Sequence, residues 1–454
     1  MKSDTNSKVL PAREIALKAL SAYRRDSKWP SAAIHGFPDI DRVHPREVAL
    51  AMRIADGVMR NLMLCDYYAE CFSSIAIKKL EPRILDILRL SIYQIIFLTR
   101  VPNSAAVSEG VALAAKYSNS RAAGFVNAVL RAVAQASVRD ALPEITGSVE
   151  RRLSVKYSHP EWLTAAFCDA LGVTGAEELL SIHNVTDTPV TAQVNTLLAR
   201  EDEVLSMLRA EGVDAVRHVW LDGCFEMRFQ GRLDRLDVFK KGYIYIQDAA
   251  ARLAVIAADP KPGEFLIDGC AAPGGKSIAA AIMMSNAGSI TAFDINARKL
   301  RLLTESAERM RLSTICAVEQ DAFSPLEDLV GEADVVIADA PCSGVGVIRK
   351  KPEIRYKSEG DVETLCRVQK DILSALALYV KPGGTLVYST CSLLPRENED
   401  VANSFLSSNS EFYTEGFSLP GVGDVRGGMV TLWPHIHGTD GFFICRMKRK
   451  LGDT

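Results

Sequence analysis

Two cysteines carry most of the reactive potential of this chain: Cys342 within DAPCSG (339–344) and Cys391 within STCS (389–392). Each follows a short apolar run, DVVIA (334–338) or GTLVY (384–388), of the kind that forms a buried strand of a parallel sheet. A third run, FLI (265–267), leads into DGCAAPGGKS (268–277), a glycine-containing turn that opens a helix. One crevice would therefore hold a nucleotide-shaped ligand and two thiols. That combination suits methyl transfer to C5 of cytosine. C5 is a poor nucleophile, so a thiolate must first add to C6, and a second group must then help release the product. A lone cysteine is more often a buried structural residue. Two of them, each just past a strand and beside Pro, Thr or Ser, favour chemistry.

The ligand end of the crevice has its own marks. In open parallel sheets ligands bind beyond the carboxyl ends of the strands, where the strand order reverses. Gly274 and Gly275 let the backbone approach a ligand there, and the helix that follows offers a partially positive N-terminus. The turn has no G-x-G-x-x-G pattern, Pro273 interrupts it, and GGKS lacks the earlier glycine of a phosphate-binding P-loop. Acids then end four successive strands, at Asp268, Asp294, Asp321 and Asp339. Asp294 closes SITAFD (289–294), where an acid accepts from ribose hydroxyls. Asp321, beyond TICAV (314–318), is placed to accept from an adenine amino group. Strand-end aspartates are often turn caps, but four in succession make a cleft.

The elements that must position these groups divide the 454 residues into three expected domains: 1–140, 141–240 and 241–454. Residues 10–137 read as helices broken at HGFPD (35–39), Glu81-Pro82 and Pro102-Asn103, with Ser104 as a cap and the apolar helix 83–100 at the bundle centre. Asp86, Arg89 and Gln94 keep that helix from reading as a membrane span. A linker near 138–155 precedes a β-α-β-β order: TAQVNTLL (191–198), a helix over 200–213, and strands near 214–220 and 224–229. From about 242, strands and helices alternate as in a doubly wound, mostly parallel sheet.

Ten cysteines without a C-x-x-C pair argue against zinc and against a disulfide framework, and the N-terminus carries no signal-peptide core. Together these predict a cytoplasmic protein. The net charge of −3 divides unevenly: residues 1–140 hold 20 Lys+Arg against 13 Asp+Glu, a balance of +7. Phosphate contacts would concentrate there, with Arg60, Arg89, Arg121 and Arg131 as candidates. The loop VGVIRKKPEIRYK (345–357), whose basic residues flank Tyr356, also reads as RNA-facing. His435 and His437 in WPHIHGTDGFF (433–443) lack a suitably spaced third ligand, so no metal is expected.

In motif after motif, from about residue 10 to residue 447, the chain resembles the bacterial small-subunit ribosomal RNA cytosine-C5 methyltransferases that carry an N-terminal NusB-like domain. LRLSIYQ (88–94), VPNSAAVSEGV (101–111) and GFVNAVLR (124–131) resemble the NusB-like bundle, and DGCAAPGGKS resembles the specific CAAPGGK signature of RNA cytosine methyltransferases. The resemblance implies an all-α NusB-like RNA-binding bundle, a small α+β RRM-like or ferredoxin-like module, and a Rossmann-like α/β methyltransferase domain. It implies S-adenosylmethionine, bound by Cys270, Ala271, Ala272, Pro273, Gly274, Gly275, Lys276, Asp294, Asp321 and Asp339. It assigns the nucleophile to Cys391 and product release to Cys342, with Asp339 and Lys276 at the polar edge of an extruded or unpaired base. It implies 16S rRNA as partner, free or partly assembled, for a monomer that needs neither membrane nor metal. Two departures stand out: Gln193 replaces the usual Arg before Val-Asn, and Arg396 replaces a Glu in LPRENED (394–400).

Three other readings compete. A tRNA methyltransferase would share the catalytic domain, and the helical domain favours rRNA only through the resemblance. A non-catalytic RNA-binding or antitermination factor would not need both cysteines and the full turn. A nicotinamide-dependent dehydrogenase lacks its glycine fingerprint.

Overall fold

The computed structural model describes residues 11–452 apart from 27, 39 and 230. Residues 1–10 of the expected helical domain, and Asp39 of the HGFPD break, lie outside the described residues. The chain forms two compact units. One runs to Thr186 and takes in Lys351–Tyr356; the other comprises Asp187–Lys350 and the chain from Lys357 onward.

The first unit is helical throughout. Its helices include Ala12–Asp26, Pro45–Arg60, Leu62–Phe72, Pro82–Phe97, Asn103–Tyr117 and Ser120–Val138, followed by Val149–Tyr157 and Glu161–His183. Prolines set several starts: Pro45 and Pro82 occupy the first helical position, where a missing N–H costs nothing. The helix Asn103–Tyr117 begins one residue before Ser104, so Ser104 lies inside its first turn and does not cap it. Pro82–Phe97 buries Ile84, Ile87, Leu88, Ile92 and Ile95 and sits in the bundle centre as its apolar sequence predicts. Among the described residues no helix is long and apolar enough to cross a membrane.

Arg60 and Arg89, and Arg355 and Tyr356 of the 345–357 loop, face internal partners and not RNA, contrary to the expectation from their sequence. Arg60 is buried and bonds Asp56 Oδ2 at 2.8 Å and the His183 carbonyl at 3.1 Å. Arg89 forms a bidentate pair with Asp66 (2.7 and 2.8 Å) and a third bond to Asp86. Arg355 is fully buried, and its guanidinium donates to the carbonyls of Arg60, Tyr157, Ser158 and His183 and to Asn184 Oδ1 at 2.8 Å. Burial pushes it down to about 10. Tyr356 Oη donates to the Met59 carbonyl at 2.8 Å. Arg121 and Arg131 remain exposed; Arg131 lines a groove of about 610 Å³ with Asn103, Ser104 and Asn127.

The second unit opens with an antiparallel four-stranded sheet. Its strands are β1 (Val190–Val194), β2 (Asp214–Arg217), β3 (Cys224–Arg228) and β4 (Ile244–Ile246), in the order β2-β3-β1-β4, with helix Glu201–Ala210 between β1 and β2. The expected β-α-β-β order is there, with a fourth strand of three residues added beyond residue 240. Gln193 on β1 is fully buried; its amide donates to the Gln247 carbonyl (3.1 Å) and its oxygen accepts from Arg252 at 2.7 Å. It is an internal brace, not a phosphate contact.

The larger sheet follows. β5 (Phe265–Asp268), β6 (Ser289–Asp294), β7 (Ile315–Glu319), β8 (Ala333–Asp339) and β9 (Val380–Thr390) pair in parallel. Of the later strands, β10 (Phe412–Thr414) lies on this sheet's edge, and β11 (Phe417–Leu419) pairs separately with β12 (Gly423–Val425). β13 (Met429–Leu432) and β14 (Phe442–Arg449) complete the set, β14 running antiparallel to β9. The order β10-β14-β9-β8-β5-β6-β7 reverses direction of growth at β5 and β8. The crevice expected at a switch point thus opens at the ends of those two strands. Apolar side chains cover both faces: Leu266, Val335, Ile337 and Val387 join one cluster, and Ile267, Val336, Ala338 and Leu386 the other.

Candidate active site

Everything singled out for chemistry comes from loops at the carboxyl ends of β5, β6, β7, β8 and β9, all within the second unit. After β5 the chain turns through Gly269–Gly274 into helix Gly275–Met283. Gly274 has φ +106°, and a Cβ there would sit 2.3 Å from Leu303 Cδ1, so this position takes only glycine. Ser277 Oγ donates to Asp268 Oδ2 at 2.7 Å from the first turn of that helix. Burial pushes Asp268 up to about 6.

Asp294, at the end of β6, leans over the turn. Its Oδ2 accepts from Ala272 N (3.2 Å) and its Oδ1 from Asn296 N (2.8 Å). Each oxygen keeps a lone pair in hand for a ligand hydroxyl. Asp321, past β7, is exposed and accepts from Phe323 N at 3.0 Å. Cys270 is half-buried, and burial raises its thiol far above the ordinary range.

The loops after β8 and β9 bring the cysteines together. Cys342 Sγ and Cys391 Sγ lie 3.2 Å apart, a hydrogen bond between sulfurs, and both residues are half-buried. The bond divides them. Donated from Cys342, it holds the Cys391 thiol below its ordinary value against the effect of burial, with the Lys276 ammonium assisting. The same bond, together with burial, raises Cys342 well above it. Of the two, Cys391 is the more readily ionised.

Beside them Lys276 Nζ bonds Asp339 Oδ2 at 2.5 Å, and Asp339 Oδ1 accepts from Ser389 Oγ at 2.8 Å. Burial works against the Lys276 charge, yet the Asp339 carboxylate holds the ammonium above its usual value. Its Nζ also lies 5.2 Å from the centre of the Phe442 ring.

Two groups here were not legible in the sequence. One is Lys350, which bonds Asp248 Oδ2 (2.6 Å) and Asp440 Oδ2 (2.7 Å); burial and the adjacent Asp248 push Asp440 up to about 7. The other is Glu397, fully buried, whose carboxylate accepts from Ser343 N and Oγ, Ser392 Oγ and Gln369 Nε2. His437 Nδ1 accepts from Trp433 N at 2.9 Å and closes its own turn. Among the described residues no cluster of His, Cys, Asp or Glu is placed to hold a metal.

The geometry can now be set against known proteins. The family model for the 16S rRNA methyltransferase RsmB/F matches residues 255–448, that of the NusB family residues 10–135, and that of the RsmF/B-like ferredoxin-like domain residues 159–229. The probable ribosomal RNA small subunit methyltransferase B of Bacillus subtilis (strain 168) is 34% identical over 447 residues, covering 96% of this chain and 98% of that protein. This chain belongs to that family. It is an rRNA methyltransferase built from a NusB-like domain, a ferredoxin-like module and a mostly parallel α/β domain. The solved structure of PH0851 superposes with a TM-score of 0.79 at 27% identity, covering 97% of this chain and 99% of that one. That of NSun6 from Pyrococcus horikoshii with SFG superposes at 0.58 and 23% identity, over 65% of this chain and 99% of the other, and shares the fold.

Proposed function

We propose that this rRNA methyltransferase transfers a methyl group from S-adenosylmethionine to C5 of a cytosine in 16S rRNA, through a covalent bond between Cys391 and C6. The observation that carries the reading is the thiol pair 3.2 Å apart, with its low member, Cys391, next to Lys276 and Asp339. Methylation of a ring nitrogen, an exocyclic amine or a ribose hydroxyl needs no thiolate. Addition to C6 does.

The turn at 269–275 fits the nucleoside, since Asp294 presents carboxylate lone pairs for its hydroxyls; Cys270–Lys276, Asp321 and Asp339 would complete the surround. When bound, S-adenosylmethionine supplies an electrophilic methyl group. The residues do the rest. Cys391 Sγ bonds to C6, and the ring electrons move toward C5 and the polar edge. Lys276 and Asp339 face that edge, in a water-poor site where a fixed charge pair is worth more than in solution. After C5 gains its methyl group it must lose a proton as the C6–S bond breaks: Cys342 takes the C5 proton as it passes its own S–H proton to the departing Cys391 sulfur, the C5–H electrons form the C5=C6 bond, and Cys391 is freed as a thiol. The base must be unpaired or extruded, at least cost in single-stranded rRNA. We place the enzyme in the cytoplasm, as a monomer acting on free or partly assembled small-subunit rRNA, with residues 1–140 as its RNA-binding domain and 141–240 and 241–454 as module and catalytic domain.

Bisulfite sequencing of 16S rRNA from a strain lacking the gene should reveal one lost 5-methylcytosine, restored by the wild-type gene and not by Cys391→Ala. Release of tritium from rRNA labelled at cytosine C5 provides the same test in vitro. Methyl incorporation without tritium release would reject C5 as the acceptor.

A further inference from the structure

Glu397 reads in the sequence as one charge among several in PRENED, the pattern of a solvated turn. In the fold it is fully buried and all four of its acceptor positions are used. Oε1 accepts from Ser343 N at 2.7 Å and Gln369 Nε2 at 3.0 Å; Oε2 accepts from Ser343 Oγ and Ser392 Oγ, both at 2.5 Å. Ser343 follows Cys342 and Ser392 follows Cys391, so one carboxylate holds the residue after each thiol. Its neighbour Asn398 extends the grip: Thr390 Oγ1 donates to Asn398 Oδ1 at 2.6 Å, and Asn398 Nδ2 donates to the Ser392 carbonyl at 3.1 Å. Cys391 is thus flanked on both sides by residues tied to 397–398. Gln369 also donates to the Pro341 carbonyl at 2.9 Å, which clamps the residue before Cys342.

Such an arrangement does more than satisfy buried donors. A buried carboxylate is costly unless saturated with hydrogen bonds, and here the saturating donors come from two loops on different strands and from Gln369 of helix Glu359–Ala377. We propose that Glu397 is a positioning residue: its carboxylate bolts the β8 loop to the β9 loop and thereby sets the contact between Cys342 and Cys391. The inference rests on the reading of these thiols as the reacting pair. Charge supports it. Cys342 is faced by Cys391, Glu397 and Asp339, and the negative charge of Glu397 helps keep it protonated, hence a donor to Cys391. Cys391 is faced by Cys342, Asp339, Lys276 and Asp440.

The test uses full-length protein and two readouts. Peptide-resolved alkylation of Cys391 by iodoacetamide across pH reports the thiol contact without any need for turnover. Glu397→Ala should move its midpoint up by about one pH unit, as Cys342→Ala does, because the S–H donor no longer points at Cys391. Glu397→Gln, which keeps the side-chain shape and part of the bonding, should move it less. In methyl transfer, kcat should fall on the order of a hundredfold in Glu397→Ala, with KM for rRNA within about threefold. Should Glu397→Ala fail to fold, Glu397→Gln and Ser392→Ala carry the same test. A lowered melting temperature with an unmoved alkylation profile and wild-type kcat in the folded protein would make Glu397 merely structural and overturn the proposal. A shifted alkylation profile in an enzyme that releases no tritium from C5-labelled rRNA would uphold the bolt and reject the C5 reading alone.

Discussion

Buried charge is used differently in the two units. In the helical unit Arg60, Arg89 and Arg355 are engaged by backbone carbonyls and carboxylates of the same unit. In the sheet unit, half-buried Lys276 and Asp339 and fully buried Glu397 surround two thiols whose sulfur atoms share a hydrogen bond. The first set fixes a shape. The second surrounds the pair that we propose to be reactive. Charge on an element therefore says little about partners until each group's own bonds are counted.

Breaking the reactive pair should give the largest effect. Cys391→Ala should abolish methyl transfer, a loss of at least about 10⁴-fold, while ligand binding at the β5 turn persists in calorimetry. Its counterpart, Cys342→Ala, should trap enzyme and rRNA as an adduct that survives a denaturing gel and disappears in the double variant; an adduct formed by Cys391→Ala would exchange the two roles. Next in size, Asp294→Ala should weaken S-adenosylmethionine binding by roughly ten- to a hundredfold, equivalent to one or two charge-assisted hydrogen bonds. Titration calorimetry would show it, and rRNA affinity should be unchanged.

The structural charges should behave in the opposite way. Arg355→Ala removes a donor from five acceptors, of which the His183 and Tyr157 carbonyls keep another, and should cost about 3 kcal/mol in unfolding of the helical unit, read by denaturant titration. Exposed Arg131→Ala should leave stability unaltered, weaken rRNA binding a few-fold and reduce its salt slope by about 1. If Arg355→Ala lowered rRNA affinity without lowering stability, the division between the units would fail. A separate effect concerns pH. Asp268 is raised to about 6 from 3.8. Its folded form holds the proton more tightly than the unfolded chain, so its contribution is complete below about pH 4 and is lost as pH rises through 6. Asp268→Asn should remove that loss, of up to about 3 kcal/mol, and flatten unfolding curves measured between pH 4 and 6.

Much of this was readable from residue order because the signals were long or repeated. The runs at 265–267, 334–338 and 384–388 are buried strands, and each is followed by a loop that carries site residues. What escaped was of two kinds. Ile244–Ile246 is three residues long, too short for alternation to register. Glu397, Asp440 and Arg355 sit in segments that look solvated, and their burial depends on partners supplied from distant parts of the chain, as when Ser343 bonds Glu397. Arg355 with Tyr356 imitates an RNA-facing loop for the same reason: a basic residue beside an aromatic has one appearance in sequence and two possible destinations.

The glycine at 346 brings this to kinetics. Its N–H donates to the Cys391 carbonyl at 2.9 Å and its own carbonyl accepts from Gly441 N at 2.9 Å, so three backbones meet with no room for a Cβ. They come from widely separated stretches of chain, and contacts of that kind form late because the loops between them must close first. A loop that opened at this junction would return the Cys391 thiol toward its ordinary value, so the pH profile of alkylation at that sulfur should report whether the three stretches of chain have met.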